Sequence, residues 1–272
     1  MMMLVYIAAA GTLGYLILVL VFSVRQASRL YLPSPTLHST PAQHGWPFEE
    51  LTLTTGDGET LHGWYVPSPD TRHTVLFCHG TRGNISDLID TIAMYQSLRL
   101  NILLFDYRGY GRSSGRPSEH GTYLDALAAW DYLIQTRKLA PADIIIHGRS
   151  LGAAIGAHLA ARHTPQALIV ESTFTSLPEV AARRYRYLPI KWIARFHYPV
   201  RHYLRQVRCP ILVIHGSDDE VIPYHHAEQL LAEIRGEKRL LQIAGNHYAG
   251  YLHSGPVYRQ GIAEFIGSVS TH

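Results

Sequence analysis

The polarity pattern opens on one long apolar run and then settles into an alternating rhythm. Residues 3–24 carry no charged side chain, and only small or weakly polar residues such as Gly11, Thr12, Gly14 and Ser23 interrupt them. At about 1.5 Å per helical residue, this run is long enough to cross a hydrocarbon layer of about 30 Å. Residues 25–48 follow with Pro33, Pro35, Pro41 and Pro47 among Ser, Thr and His, which reads as an extended linker. Beyond it, short runs at 50–54, 61–66, 74–78, 101–105, 143–147, 167–171, 211–215 and 239–243 have the length and residue types of strands. Helix-period stretches at 84–99, 119–137, 150–163, 224–235 and 256–268 fill most of the gaps.

Two opening strands around the turn signal Gly56-Asp57-Gly58, then strand–helix repeats, predict an α/β domain over 49–272. Its sheet should be mostly parallel and eight-stranded, with helices on both faces, because parallel strands need crossover connections that cover them. Wholly apolar strands such as Ile144-Ile145-Ile146 suit the centre of such a sheet, and crossover handedness makes it doubly wound. Only 172–208 breaks the rhythm, and it reads as a cap inserted into the domain.

Composition narrows the classes. The chain of 272 residues is 47% hydrophobic, enough for a sizeable core, and its net charge of +3 gives no nucleic-acid footprint. Two cysteines, Cys78 and Cys209, are too few for a disulfide framework and flank strand-like runs, so buried free thiols are expected. Seventeen histidines include no His-Glu-x-x-His and no Cys/His cluster with zinc spacing, so no metal site is expected. His197, His202, His225 and His226 read as surface or cap residues. For the N-terminal run, a cleaved secretory signal is the rival to a membrane span. No Lys or Arg precedes the run, it exceeds a usual signal core, and no small-x-small site follows Val24. The expectation is a single-pass anchor in a lipid bilayer. Arg25 and Arg29 just after it place the globular part on the cytoplasmic side by the positive-inside tendency.

Gly148-Arg149-Ser150-Leu151-Gly152 matches Gly-x-Ser-x-Gly, a weak pattern alone. Its context is specific: it follows a buried strand and opens a helix, the strand–turn–helix setting a nucleophile elbow requires. Ser150 is therefore the candidate nucleophile, with the helix N-terminus adding positive potential where an oxyanion forms. A serine needs a base and an orienting acid, which follow it in chain order after later strands. His247 in Ala244-Gly245-Asn246-His247 supplies the base, with His253 its rival, and the acid is Asp218 or Asp219 in Gly216-Ser217-Asp218-Asp219. Two backbone N–H groups would form the oxyanion hole, those of Leu151 and of Thr81 in the loop His79-Gly80-Thr81-Arg82-Gly83-Asn84.

These segments, with Asp106-Tyr107-Arg108-Gly109-Tyr110-Gly111-Arg112-Ser113 and Glu171-Ser172-Thr173-Phe174-Thr175-Ser176, resemble the membrane-anchored α/β-hydrolase-domain branch that includes bud-emergence-like proteins and protein depalmitoylases. The resemblance runs from about residue 45 to the C-terminus and implies the α/β-hydrolase fold. The branch's His-Gly-x-x-Asp pattern aligns Asp219 with the acid. Where the branch commonly has Asn after the first His-Gly, this chain has Thr81; a backbone donor survives that change. The Asp106–Ser113 string reads as structural, a turn held by Asp106 and Arg108.

The cap is distinct in charge. Between Ser172 and Cys209 lie eight basic residues and one acid, Glu179, leaving 16 basic against 20 acidic residues elsewhere. Seven aromatics interleave with them. Three readings follow: a surface resting on an anionic leaflet, a reader of phosphate-bearing substrates, or a solvated cap whose aromatics pack on the body. The reading that results is a cofactor-independent serine hydrolase cleaving acyl esters or thioesters through an acyl-Ser150 intermediate, with Asp219 and His247 completing a triad. The alternatives are a serine aminopeptidase-like enzyme, for which no acidic pair offers an amine site, and a non-catalytic membrane-bound scaffold on the same fold.

Overall fold

The computed structural model describes residues 1–269. Eight strands form one sheet: β1 (Glu49–Thr54), β2 (Thr60–Val66), β3 (Thr74–Cys78), β4 (Asn101–Phe105), β5 (Ile144–Arg149), β6 (Ala167–Glu171), β7 (Ile211–Gly216) and β8 (Lys238–Ile243). Their spatial order is β8-β7-β6-β5-β3-β4-β2-β1. β1 pairs antiparallel with β2 and β2 antiparallel with β4, while every other pair is parallel. Each expected strand is present within two residues at either end. The inner strands β3 to β6 are buried along their length except at Arg149, as all-apolar strands covered on both faces should be.

Helices pack on both faces. One face carries α3 (Glu119–Asp131), α4 (Leu151–Ala160) and α6 (His225–Glu233), whose buried Ala126, Trp130, Ile155 and Leu230 join the core with Leu76 and Ile146. The other carries α2 (Ile89–Ser97) and α7 (Gly255–Val269), whose Ile92, Tyr95, Ile262 and Phe265 pack on Val75 and Ile145. The expected helix 84–99 is split into a 3-10 turn, Ile85–Leu88, and α2, and the end of 119–137 becomes a π turn at Tyr132–Thr136. Cys78 and Cys209 are free and buried, and burial pushes both thiols up to about 12, which makes them inert packing groups. His226, expected at the surface, is instead buried on α6 against Thr175, and burial first, then His225, lowers its pKa to about 4.

α1 (Met2–Val24) precedes this body, with a mean hydropathy of 2.3 and none of its most apolar window buried by protein. It is long and apolar enough to cross a membrane, a property that an anchor and a signal sequence share. Only its last turns touch the domain. The segment after it, expected as an extended linker, is extended over much of its length but packed rather than free. Tyr31 and Pro41 are buried, and Leu32–Pro33 forms a short parallel pair with Arg82–Gly83. The cap comprises α5 (Leu177–Arg184) and two further single turns, Ile190–Ile193 and Val200–Leu204.

Candidate active site

The turn at Ser150 is strained, as a nucleophile elbow would be. Ser150 has φ 54° and ψ −118°, a conformation that a residue with a Cβ adopts at a cost of order 1–3 kcal/mol. Its neighbours hold it there: Ser150 N–H donates to the Glu171 carbonyl at 2.8 Å, and Thr173 Oγ1 donates to the Ser150 carbonyl at 2.9 Å. The tight turn leaves no room beside it. A Cβ on Gly148 would collide with Gly152 and Ala153, and one on Gly152 would strike the carbonyls of Cys78 and His79. Both glycines are thus required for α4 to start directly against β3.

Ser150 Oγ lies 3.1 Å from His247 Nε2, and His247 Nδ1 lies 2.8 Å from Asp219 Oδ2. A carboxylate accepts only, so the Nδ1 proton faces Asp219 and the Nε2 lone pair faces the serine hydroxyl. Asp219 Oδ1 accepts from Val221 N at 3.0 Å and Ile222 N at 2.7 Å, in the turn that follows β7. Burial alone would raise the Asp219 pKa; the hydrogen bonds from His215 and His247 outweigh it and hold this carboxyl well below the usual range. Asp218 turns away and accepts from Gly245 N, while His253 sits on the helical turn Gly250–His253 with no bond to Ser150. Of the paired candidates, Asp219 and His247 are the ones brought to the serine.

The loop after β3 lies over the elbow, with the Gly80 Cβ position 3.7 Å from Ser150 Cβ. Among the described residues, neither Thr81 N–H nor Leu151 N–H donates to another protein group. Two N–H groups without a protein partner among the described residues therefore lie beside Ser150. The loop itself is pinned from behind: the Thr81 carbonyl accepts from Leu32 N at 2.9 Å and Tyr110 OH at 2.8 Å, and the Gly83 carbonyl from Ser34 N at 3.0 Å. Asn84 Nδ2 ties the same loop to the carbonyls of Ser34 and Thr36.

A strained serine, an aspartate and a histidine, in that chain order, on a β8-β7-β6-β5-β3-β4-β2-β1 sheet point to one class, and similarity agrees. Residues 73–183 match the model of the alpha/beta hydrolase fold. An uncharacterized protein of Mycobacterium tuberculosis is 39% identical over 220 residues, covering 80% of this chain and 78% of its own. The alpha/beta hydrolase domain-containing protein WAV2 of Arabidopsis thaliana is 30% identical over 268 residues, covering 89% and 87%. The chain belongs to the α/β-hydrolase fold family. Among solved structures, the Pyrococcus furiosus esterase Pf2001 superposes with a TM-score of 0.75 over 88% of this hydrolase and 97% of its own chain, at 19% identity.

Beneath the elbow of this hydrolase lies a buried polar network that sequence reasoning missed. Glu171 accepts from His147 Nε2 at 2.9 Å, Arg149 Nε at 2.9 Å and Tyr258 OH at 2.7 Å, and Tyr95 OH bonds the other nitrogen of His147. Burial opposes ionisation of Glu171, but Arg149 first and then His147 and Tyr258 overcome it and bring the carboxyl down to about 2. Only part of the signal was in the sequence, the need of two buried polar residues for partners; the partners themselves come from the fold. His147 and Arg149 alternate on one face of β5, where buried polar side chains must find a partner, and the register sets Arg149 opposite Glu171. A second cluster anchors the Asp106–Ser113 turn. Arg108 forms a bidentate pair with Asp57 and bonds Asp125 at 2.9 Å, and Asp106 accepts from Ile85 N. The structural role read for that turn matches these contacts, although Asp57 and Asp125 were not foreseen.

Proposed function

We propose that this hydrolase cleaves carboxylic esters or thioesters of acyl chains, with Ser150 as nucleophile. The observation that carries the reading is the Ser150–His247–Asp219 relay at 3.1 and 2.8 Å, set on a strained elbow between two unengaged N–H donors. His247 Nε2 takes the Ser150 proton as Oγ bonds to the acyl carbon. The carbonyl oxygen, now an anion, accepts from Thr81 N–H and Leu151 N–H. Asp219 stabilises the imidazolium, which then gives its proton to the departing alkoxide or thiolate. Water, deprotonated by the same nitrogen, attacks the acyl-serine; the carboxylic acid leaves and Ser150 regains its proton. No step calls for a cofactor.

We also read α1 as an uncleaved anchor. Support comes from Phe22, buried against Leu188 and Ile190, and from Tyr15, whose OH donates to the Tyr187 carbonyl at 3.0 Å. Cleavage after Val24 would strip Phe22 from that cluster.

A fluorophosphonate probe tests the chemistry. The folded wild-type chain should be labelled at Ser150, and Ser150→Ala should lose the label and the hydrolysis of p-nitrophenyl esters. A folded wild-type chain that takes no label overturns the reading in favour of a scaffold, and a Ser150→Ala chain labelled equally removes Ser150 as the nucleophile.

A further inference from the structure

The tip of the cap carries charge that its own packing does not use. Arg201 and Arg205 pair with Glu179 and Glu233, but Arg183, Arg184, Arg186 and Lys191 are exposed and make no salt bridge among the described residues. Two aromatics stand among them without cover: Tyr187 is 61% exposed and Trp192 is 88% exposed. Large aromatics left in water next to unpaired cations are an unfavourable arrangement for a solvated surface, and they are the residue types that seat at a membrane–water boundary.

The position of the tip separates the readings. Its underside is fastened to α1: Phe22 meets Tyr185 edge-on at 4.7 Å between centroids, beside Leu188 and Ile190. Tyr15 OH, further down the helix, donates to the Tyr187 carbonyl at 3.0 Å. From Tyr15 to the end of α1 is about 13 Å of helix, whereas each headgroup layer is only about 5–7 Å thick. A segment bonded at the level of Tyr15 cannot stand clear of a bilayer that α1 crosses. Its backbone lies at or just below the headgroup level, from which long Arg and Lys side chains extend outward to the headgroups.

We propose that the cap tip, formed by Arg183, Arg184, Arg186, Tyr187, Lys191 and Trp192, docks on anionic lipid headgroups of the leaflet from which α1 emerges. This rests on the reading of α1 as a membrane span. Charge selects the lipid: four unpaired cations face a negative leaflet, each shifting the preference for such a surface by about five-fold. Trp192 and Tyr187 anchor the contact at the glycerol level. The cap, and with it the roof of the catalytic domain, is then held against the membrane rather than tethered loosely above it.

The full chain in lipid nanodiscs tests this, with lipids brominated near the headgroup end of the acyl chain as quenchers. In discs containing phosphatidylserine, these lipids should quench a component of the tryptophan emission that disappears in Trp192→Phe. The quadruple variant Arg183→Ala/Arg184→Ala/Arg186→Ala/Lys191→Ala should lower that component to its level in neutral phosphatidylcholine discs. Retention in discs with no Trp192 quenching overturns the docking proposal alone. So does shielding of Trp192 from both brominated lipid and aqueous iodide, which would mean that protein, not lipid, covers it. Release of the full chain from membranes by alkaline carbonate overturns the span reading and the docking with it.

Discussion

The chemistry turns on where one proton sits. The Asp219 carboxylate, itself held by Val221 N and Ile222 N, fixes the His247 proton on Nδ1 and frees Nε2 for Ser150. Asp219→Asn keeps the shape of this acid but presents an amide that can donate, favouring the tautomer with its proton on the wrong nitrogen. We expect kcat for p-nitrophenyl esters to fall about 10⁴-fold, the loss the same exchange causes in the serine-protease triad, with the unfolding transition retained. A variant within ten-fold of wild type would remove Asp219 from the acid's role.

At the scale of elements, two connections hold the site from behind, one buried and one at the surface. Glu171, on β6 beside the elbow, neutralises Arg149 and orders His147. Glu171→Gln leaves the Arg149 guanidinium buried without its counter-charge, at a cost of about 3–5 kcal/mol in unfolding free energy. The pH dependence follows from the depressed carboxyl. Folded Glu171 titrates at about 2 against an ordinary 4.5, so between those values the unfolded chain binds more protons. Its contribution to stability is therefore complete above about 4.5 and lost as the pH falls towards 2. Denaturant titrations at neutral pH and near pH 3 should show the difference between wild type and Glu171→Gln narrowing on acidification; a constant difference would contradict it.

The second connection is the short pair of Leu32–Pro33 with Arg82–Gly83, through which the chain leaving α1 braces the loop bearing the Thr81 donor. Ser34→Pro deletes the N–H that the Gly83 carbonyl uses. One lost hydrogen bond costs about 1 kcal/mol of stability, but a displacement of the donor loop by about 1 Å lowers kcat by about 100-fold. Steady-state kinetics should thus show a fall in kcat out of proportion to the change in thermal midpoint. If both barely move, the bracing is incidental.

For the whole molecule, α1 meets the tip of the cap in a small cluster of Phe22, Leu188 and Ile190, separate from the two cores that sandwich the sheet, while the rest of the cap, including Phe196, Tyr198 and Leu204, packs into one of those cores. Phe22→Ala removes the ring that α1 contributes to that cluster and about 2 kcal/mol of local packing. Because that cluster stands apart from the two cores, the effect should be local: amide exchange in 181–194 accelerates about thirty-fold while the inner strands keep their protection. Uniform acceleration across the sheet would show instead that cap and body unfold together.

Much was legible in the chain itself because it depends on local order. Strand and helix identity follows from the run of apolar residues, the elbow from small residues around Ser150, and the order of serine, acid and base from the α/β topology. A shared motif also pointed to Asp219, the aspartate that bonds His247. Pairings between distant segments were not, because nothing in the spacing of residues 147, 149, 171 and 258 announces that they meet under the elbow. The same holds for His226, whose burial depends on where Thr175 comes to rest. The proline-rich stretch after α1 looked free because its hydrogen bonds go to a loop some fifty residues away. Composition made the cap basic and aromatic, and left its purpose open among membrane, phosphate and water. Only the tertiary contact of Phe22 and Tyr15 with the cap set its height on the helix, since depth relative to a bilayer is a property of packing and not of sequence.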